Sequence, residues 1–295
     1  MASPVNVDVM RNNRYVNEII NYDKREFLGR GLKGWRNLVR FVRELRGKKF
    51  ELAIVPSTVS TSFTSDMLAY LSGAPVRMGV ESLNGKENPS GFFYNVTTSL
   101  DWSGEPHRHQ TLRNLDCAAP LQLSPSNLSH EMTFDEREKE EVERLRREKK
   151  QKIVVYHPGA GKVPNRWEAK RFAAVANTLA QELNVSTLIT AGPMDDEPVA
   201  EMTSMLHIPF ELVKGKTIRE VAVILASADL VLSNDTGIMH VAAAVGVPVL
   251  SLFGPTDPDQ WAPLGIQHRF IKGEKGNINT ITVDEVVARA REMLS

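Results

Sequence analysis

The sequence predicts an α/β protein built from two Rossmann-like domains. Three observations carry the prediction. The chain has 295 residues, too many for one ordinary core and comfortable for two domains of about 150 residues each. In its C-terminal half, short apolar runs alternate with segments of helical period, the pattern of a parallel sheet with crossover helices. Its N-terminal half repeats that alternation less regularly. Strands are expected at residues 153–156, 186–190, 210–213, 230–233, 249–252 and 268–271, with helices at 168–183, 196–206, 217–227, 236–246 and 282–294. Ligands of such a sheet bind outside the carboxyl ends of its strands.

In the first half, strands are expected at 5–10, 17–21, 52–56 and 77–80, and helices at 35–46, 62–72 and 107–117. Residues 82–103 are rich in Gly, Asn, Ser and Thr and read as a long loop. The run FDEREKEEVERLRREKK at 134–150 carries dense charge at helical spacing and reads as a solvated helix leading to a domain boundary. The expected domains are therefore 1–149 and 150–295.

Composition excludes several classes. Thirty-six basic residues balance thirty-six acidic ones, so no global field favours nucleic acid. A single cysteine, Cys117, rules out an internal disulfide framework and a cysteine-rich zinc site, fits a reducing cytosol, and reads as a small core hydrophobe. No window reaches the roughly 18 consecutive apolar residues of a membrane span, and the first residues lack the pattern of a signal peptide. A cytoplasmic protein is expected.

The chemistry concentrates at strand ends. SNDTGIMHVAAA (233–244) follows the apolar run Leu230-Val231-Leu232. Asp235 or Thr236 is a good N-cap for a helix beginning at Gly237. The first N–H groups of that helix have no internal partner and sit at the positive end of its dipole, so they suit an anion. Gly237 admits a phosphate, and His240 shares the face of Thr236 and Gly237. Asp235 would repel a diphosphate, and it makes sense as an acceptor for sugar hydroxyls. The plainer alternative is that the acid and threonine only cap the helix and that His240 is a core histidine. LFGPTDP (252–258) ends the next strand in a stiff turn.

VVYHPGAG (154–161), followed by Lys162, Arg166 and Trp167, opens a strand into a glycine-rich loop. It matches neither G-x-x-x-x-G-K-[ST] nor G-x-G-x-x-G. AGPMDDE (191–197) closes the next strand with acids at a helix start, where Asp196 or Glu197 is placed either to hold ribose hydroxyls or to cap.

Taken together, HPGAG…RW, AGPMDDE, SNDTGIMHVAAA and LFGPTDP, in that order, resemble the family 9 glycosyltransferases, the ADP-heptose lipopolysaccharide heptosyltransferases. The likeness covers residues 150–295 and extends more faintly to LRGKKFELAIVP (45–56) and LSGAPVRMG (71–79). It implies a GT-B fold, two Rossmann-like domains facing across a cleft, with the nucleotide-sugar donor on the C-terminal one. It also implies inverting transfer without a cofactor or bound metal. By position, Asp235, Thr236, Gly237 and His240 would hold the diphosphate and sugar, and Asp196 or Glu197 the ribose. Lys216 would line the base pocket through its backbone, and the Ala160–Gly161 loop would meet the phosphates.

Two departures stand out. The family's phosphate-binding Lys, two residues before the Trp, is Asn165 here, which leaves Lys162 or Arg166 to supply charge. The family's first strand and its loop with a Gly-Asp general base have no counterpart, so the first domain is expected to lack its first strand and the base is unassigned; Asp66, near the start of the 62–72 helix, is the nearby acid to nominate as a substitute, with helix capping or surface solvation the plainer reading. The implied partners are an ADP-sugar donor and a lipopolysaccharide or related glycan acceptor, with no nucleic acid. Competing readings are a UDP-sugar GT-B relative, such as an epimerase or transferase, and a non-catalytic nucleotide-sugar binder. Arg36, Arg40 and Arg43 stripe one helix face, with Lys24, Arg25, Arg30, Lys33, Lys48 and Lys49 nearby. That stripe reads either as a solvated face or as a peripheral contact with an anionic surface at the inner face of the cytoplasmic membrane.

Overall fold

The computed structural model describes residues 6–23 and 32–295. Val5, Lys24, Arg25 and Arg30, and the Lys33 side chain, lie outside the described residues. Two compact units emerge: Met1–Asn21 together with Ser129–Ser295, and Tyr22–Leu128. This division differs from the expected one at 149/150. The charged helix joins the later unit because one face of it is packed, as shown below.

The Tyr22–Leu128 unit begins with α2 (Leu32–Gly47), since the short helix α1 (Val7–Met10) belongs to the other unit. There follow β1 (Leu52–Ile54), α3 (Phe63–Leu71), β2 (Val76–Leu83), β3 (Lys86–Glu87), β4 (Val96–Leu100) and α4 (Gln110–Asp116). β2 pairs in parallel with β1 and β4 and antiparallel with β3. Val80, Leu83, Leu100, Trp102 and Cys117 form its core, so Cys117 is the small core hydrophobe expected of it. The loop expected at 82–103 holds two strands instead. β-branched Val96, Thr97 and Thr98 favour extended chain, and the polar run conceals a strand whose partner, β2, supplies the apolar surface.

Gly79 lets Tyr94 lie against β2, because a Cβ there would meet the tyrosine ring at 2.2 Å. The Tyr94 hydroxyl reaches Asp66, which is 0% exposed. Its carboxylate accepts bonds from Tyr94 OH at 2.5 Å, Ser90 Oγ at 2.6 Å and Asn88 Nδ2 at 3.0 Å.

Two expected strands do not form. Residues 7–10 are helical, and α1 is tied down by Arg219, whose Nη1 donates to the carbonyls of Asp8 at 3.0 Å and Arg11 at 3.2 Å. Residues 17–20 form no strand and Asn21 makes only an isolated bridge; Ile19 and Ile20 are adjacent rather than alternating, so no single face collects the apolar side chains.

The larger unit continues with α5 (Glu136–Glu148), β5 (Ile153–His157), α6 (Ala169–Leu183), β6 (Ser186–Ala191), α7 (Asp196–Ser204), β7 (Phe210–Lys214), α8 (Ile218–Ala226) and β8 (Leu230–Asn234). Next come α9 (Gly237–Ala244), β9 (Val249–Phe253), α10 (Pro258–Trp261), β10 (Arg269–Lys272) and α11 (Val283–Leu294). The charged α5 starts in a capping box of Asp135 and Glu138. Its Val142 is buried against Val223 and Ala226 of α8, and Glu138 pairs with Arg219 at 2.5 Å through Nε. That packing is why the helix joins this unit.

The sheet is wholly parallel, in the order β10-β9-β8-β5-β6-β7. Every residue of β8 and β9 is buried, as strands covered on both faces require. All six expected strands and all five expected helices of this half form, with ends shifted by one or two residues. The order turns back between β5 and β8: β6 and β7 extend to one side, β8 to β10 to the other. A switch point of this kind is where open α/β sheets bind ligands.

Candidate functional site

At that switch point the carboxyl ends of β5 and β8 are tied together by Asn234. Its Nδ2 donates to the Pro158 and Gly159 carbonyls at 2.9 and 3.3 Å, and its Oδ1 accepts the Trp167 backbone N–H at 3.1 Å. Trp167 is buried, gives its indole N–H to Ile281 O at 3.1 Å and stacks edge-on against Phe172. The HPGAG…RW motif is therefore a loop clamped at both ends, and its tryptophan is an anchor in the core.

The motif glycines serve close packing. A Cβ on Gly159 would meet Asp195 Oδ1 at 2.0 Å, and one on Gly254 would meet Pro164 O at 2.6 Å. By contrast, a Cβ on Gly161 or Gly237 would meet nothing within 4 Å. The first pair packs backbone; the second pair leaves it open to approach.

Thr236 occupies the N-cap position of α9 in extended geometry, with no side-chain cap bond. The Met239 N–H turns back on the Thr236 carbonyl at 3.1 Å, which leaves the Gly237 and Ile238 amides at the mouth for an outside acceptor. Asp235 is held in place: Asn165 Nδ2 donates to its Oδ2 at 2.9 Å and also lies 3.2 Å from Thr256 Oγ1. Burial raises the Asp235 carboxyl above its ordinary range, while a Thr256 hydroxyl bond and the charges of Lys162 and Lys272 pull it back down. Three of the four strand-end motifs thus meet at one corner.

Arg166 is committed locally, its Nε donating to Ala160 O at 2.7 Å. That bond braces the Ala160–Gly161 loop. His240, on α9, packs its ring 5.7 Å from the ring of His130. At the end of β6, Asp196 and Glu197 are exposed, and Asp196 pairs with Lys214 at 2.8 Å. The buried acid is their neighbour Asp195, which accepts Gly192 N–H at 2.7 Å and lies 3.6 Å from His157 Nε2. His157 Nδ1 lies 3.1 Å from Thr190 O. Burial lowers the His157 pKa, opposed in part by the Asp195 carboxylate. Lys216, exposed beyond Gly215, pairs with Glu220 at 3.7 Å.

Asp66, the substitute base the sequence offered, is fully buried with three donors on its carboxylate, where it anchors α3 to the β3–β4 segment. Sequence reasoning also missed Asn234, Asp195 and Thr256. Their signal was present as polar residues at the carboxyl ends of apolar strands, where burial demands a partner.

A wholly parallel sheet with its switch point between β5 and β8 makes this a Rossmann-like unit of the GT-B class. The model of glycosyltransferase family 9 (heptosyltransferase) matches residues 38–285, and the chain belongs to that family. It is 35% identical over 133 residues to lipooligosaccharide heptosyltransferase 2 of Haemophilus influenzae, covering 41% of this chain and 38% of that protein. The chain thus spans well under half the length of that curated relative in the matched region.

Among solved structures, a family 9 glycosyl transferase from Veillonella parvula superposes with a TM-score of 0.81 at 20% identity, covering 97% of this chain and 85% of that one. The E. coli heptosyltransferase WaaC with ADP gives 0.69 at 18% identity, covering 90% and 79%. These likenesses show the fold. No helix among the described residues is long and apolar enough to cross a membrane.

Proposed function

We propose that the protein is a glycosyltransferase that moves a heptose-like sugar from an ADP-sugar to a hydroxyl of a lipopolysaccharide core or related glycan. The reaction is an inverting displacement that needs no metal, as the family likeness implies. The observation that carries the reading is the corner of Asp235, Thr236 and Gly237, held by Asn165 and Thr256, within a family match over residues 38–285.

In this reading the open amides of α9 take the donor diphosphate, and Lys162 adds charge as the leaving group becomes more anionic. The Ala160–Gly161 loop, braced by Arg166, meets the phosphates from the β5 side. Asp235, oriented by Asn165, directs its remaining lone pairs to sugar hydroxyls. His240 donates to the diphosphate, Asp196 or Glu197 holds the ribose, and the backbone at Lys216 lines the base pocket. The acceptor's general base is not assigned.

The reading includes peripheral contact with an anionic membrane. Trp35 is 66% exposed on α2, beside exposed Val39, Arg36, Arg40 and Arg43. Apolar anchors flanked by cations suit a headgroup layer.

The test is calorimetric titration with ADP, UDP and an ADP-sugar, paired with transfer assays on core glycan acceptors. Binding of ADP in preference to UDP, with transfer from the ADP-sugar, supports the reading. Failure to bind ADP overturns it, and donor binding without transfer to any acceptor selects a non-catalytic binder instead.

A further inference from the structure

We infer that Lys272 is a donor-diphosphate-binding residue, the cation that serves this corner where position 165 carries a neutral Asn. The inference rests on reading the corner as a nucleotide diphosphate site. Lys272 ends β10, and strand register aligns it with Phe253 of β9, while Leu252 aligns with Asn234 of β8. The carboxyl ends of three adjacent strands therefore lie level, with the GPT turn of residues 254–256 in front of them.

The Lys272 side chain reaches over that turn. Its Nζ donates to Gly254 O and Thr256 O, each at 2.5 Å. The Thr256 side chain contacts Asn165, which bonds Asp235. One connected set of bonds thus runs from the ammonium to the carboxylate at the helix mouth.

The chemistry of those partners matters. Backbone carbonyls fix an ammonium in place without cancelling its charge, and Lys272 makes no ion pair among the described residues. An ammonium has three donors; two are spent on the turn and one remains. Its side-chain entropy is already lost in the folded state, so ordering it costs a ligand little. Asp235 also responds to its charge. A dianion approaching the α9 amides would meet a held, unneutralised cation on the β10 side, matching Lys162 on the β5 side.

The experiment uses Lys272→Gln, which keeps an N–H donor on a side chain one bond shorter and removes the charge. ADP and adenosine are titrated into wild type and variant at two salt concentrations, with melting temperature monitored. The expected result is a rise of about tenfold in the Kd for ADP, a weaker salt dependence and an unchanged Kd for adenosine. Asn165→Lys in the Lys272→Gln background should recover much of the lost affinity by restoring a cation beside Asp235.

Equal weakening of ADP and adenosine would reduce Lys272 to a staple of the turn and overturn the inference. So would an unchanged Kd for ADP in a wild type that binds it. A wild type that fails to bind ADP removes the nucleotide reading itself, and this inference with it.

Discussion

Asn165 Nδ2 lies 2.9 Å from Asp235 Oδ2, across 70 residues of sequence. This contact makes a neutral amide, in place of the family's lysine, the positioning partner of the carboxylate at the helix mouth. It occupies one lone pair, and the Thr256 hydroxyl takes another.

Replacing that amide by a second carboxylate tests the arrangement. Asn165→Asp would set two acids within hydrogen-bonding distance in a partly buried site, where both cannot ionise cheaply. ADP affinity should fall about tenfold near pH 7.5, and the gap to wild type should narrow toward pH 5 as one of the pair takes a proton. Calorimetry across pH measures both.

Two glycines should respond in opposite ways. The open space before Gly237 means Gly237→Val leaves the melting temperature nearly unchanged while blocking the α9 amides, so ADP binding should drop by about tenfold or more. Gly159→Ala pushes a methyl into the Asp195 carboxylate, 2.0 Å from its Oδ1, and should cost roughly 1–3 kcal/mol of stability in denaturant titration. A Gly237→Val variant that binds ADP like wild type would reduce the corner to a helix cap.

Asp66→Ala removes an acceptor from three buried donors. The loss should be roughly 2–4 kcal/mol in urea unfolding, because Asn88, Ser90 and Tyr94 are left with unmet bonds. If stability were unchanged and only turnover fell, Asp66 would be acting on substrate after all.

His268 predicts acid sensitivity. Burial, with the charges of His130 and Arg269, holds its pKa down at about 4, and its Nδ1 has no hydrogen-bond partner among the described residues. Between about pH 6.5 and 4 the unfolded chain binds a proton that the folded chain refuses, so stability falls as pH drops through that window. The loss should be on the order of 1 kcal/mol, and His268→Gln should flatten it in melting curves taken at each pH.

The α2 face makes a salt-dependent claim. Sedimentation with vesicles containing anionic lipid should carry the protein down at low salt, weakening as salt screens the charges. Reversing Arg36, Arg40 and Arg43 to Glu should abolish it. Binding that ignores both changes would return the stripe to an ordinary solvated face.

The later unit was readable in sequence because its strands are covered on both sides; Leu230-Val231-Leu232 admits few readings when helical periods flank it. β4 was not, since Val96-Thr97-Thr98-Ser99-Leu100 is polar on one face and finds its apolar contacts through β2. Residues 7–10 misled because four residues cannot separate the two periods, and a guanidinium far along the chain decides the outcome. In the site, Asp235, Thr236 and Gly237 announced themselves within one motif. Asn165 stood out only as a departure from the family pattern, and Thr256 and Lys272 not at all, because the meeting of the three depends on the lateral order of β5, β8, β9 and β10, which no local pattern encodes.

The Arg219 clamp also has a consequence in time. The carbonyl of Asp8 finds its donor 211 residues downstream; at about 5–20 residues per second, a ribosome takes roughly 10–40 s to supply it. Through that interval α1 has neither its guanidinium nor the α8 surface to rest on, whereas residues 22–128 emerge as one unbroken stretch. Synthesis therefore favours completing the smaller unit first, with α1 unclamped until α8 leaves the exit tunnel.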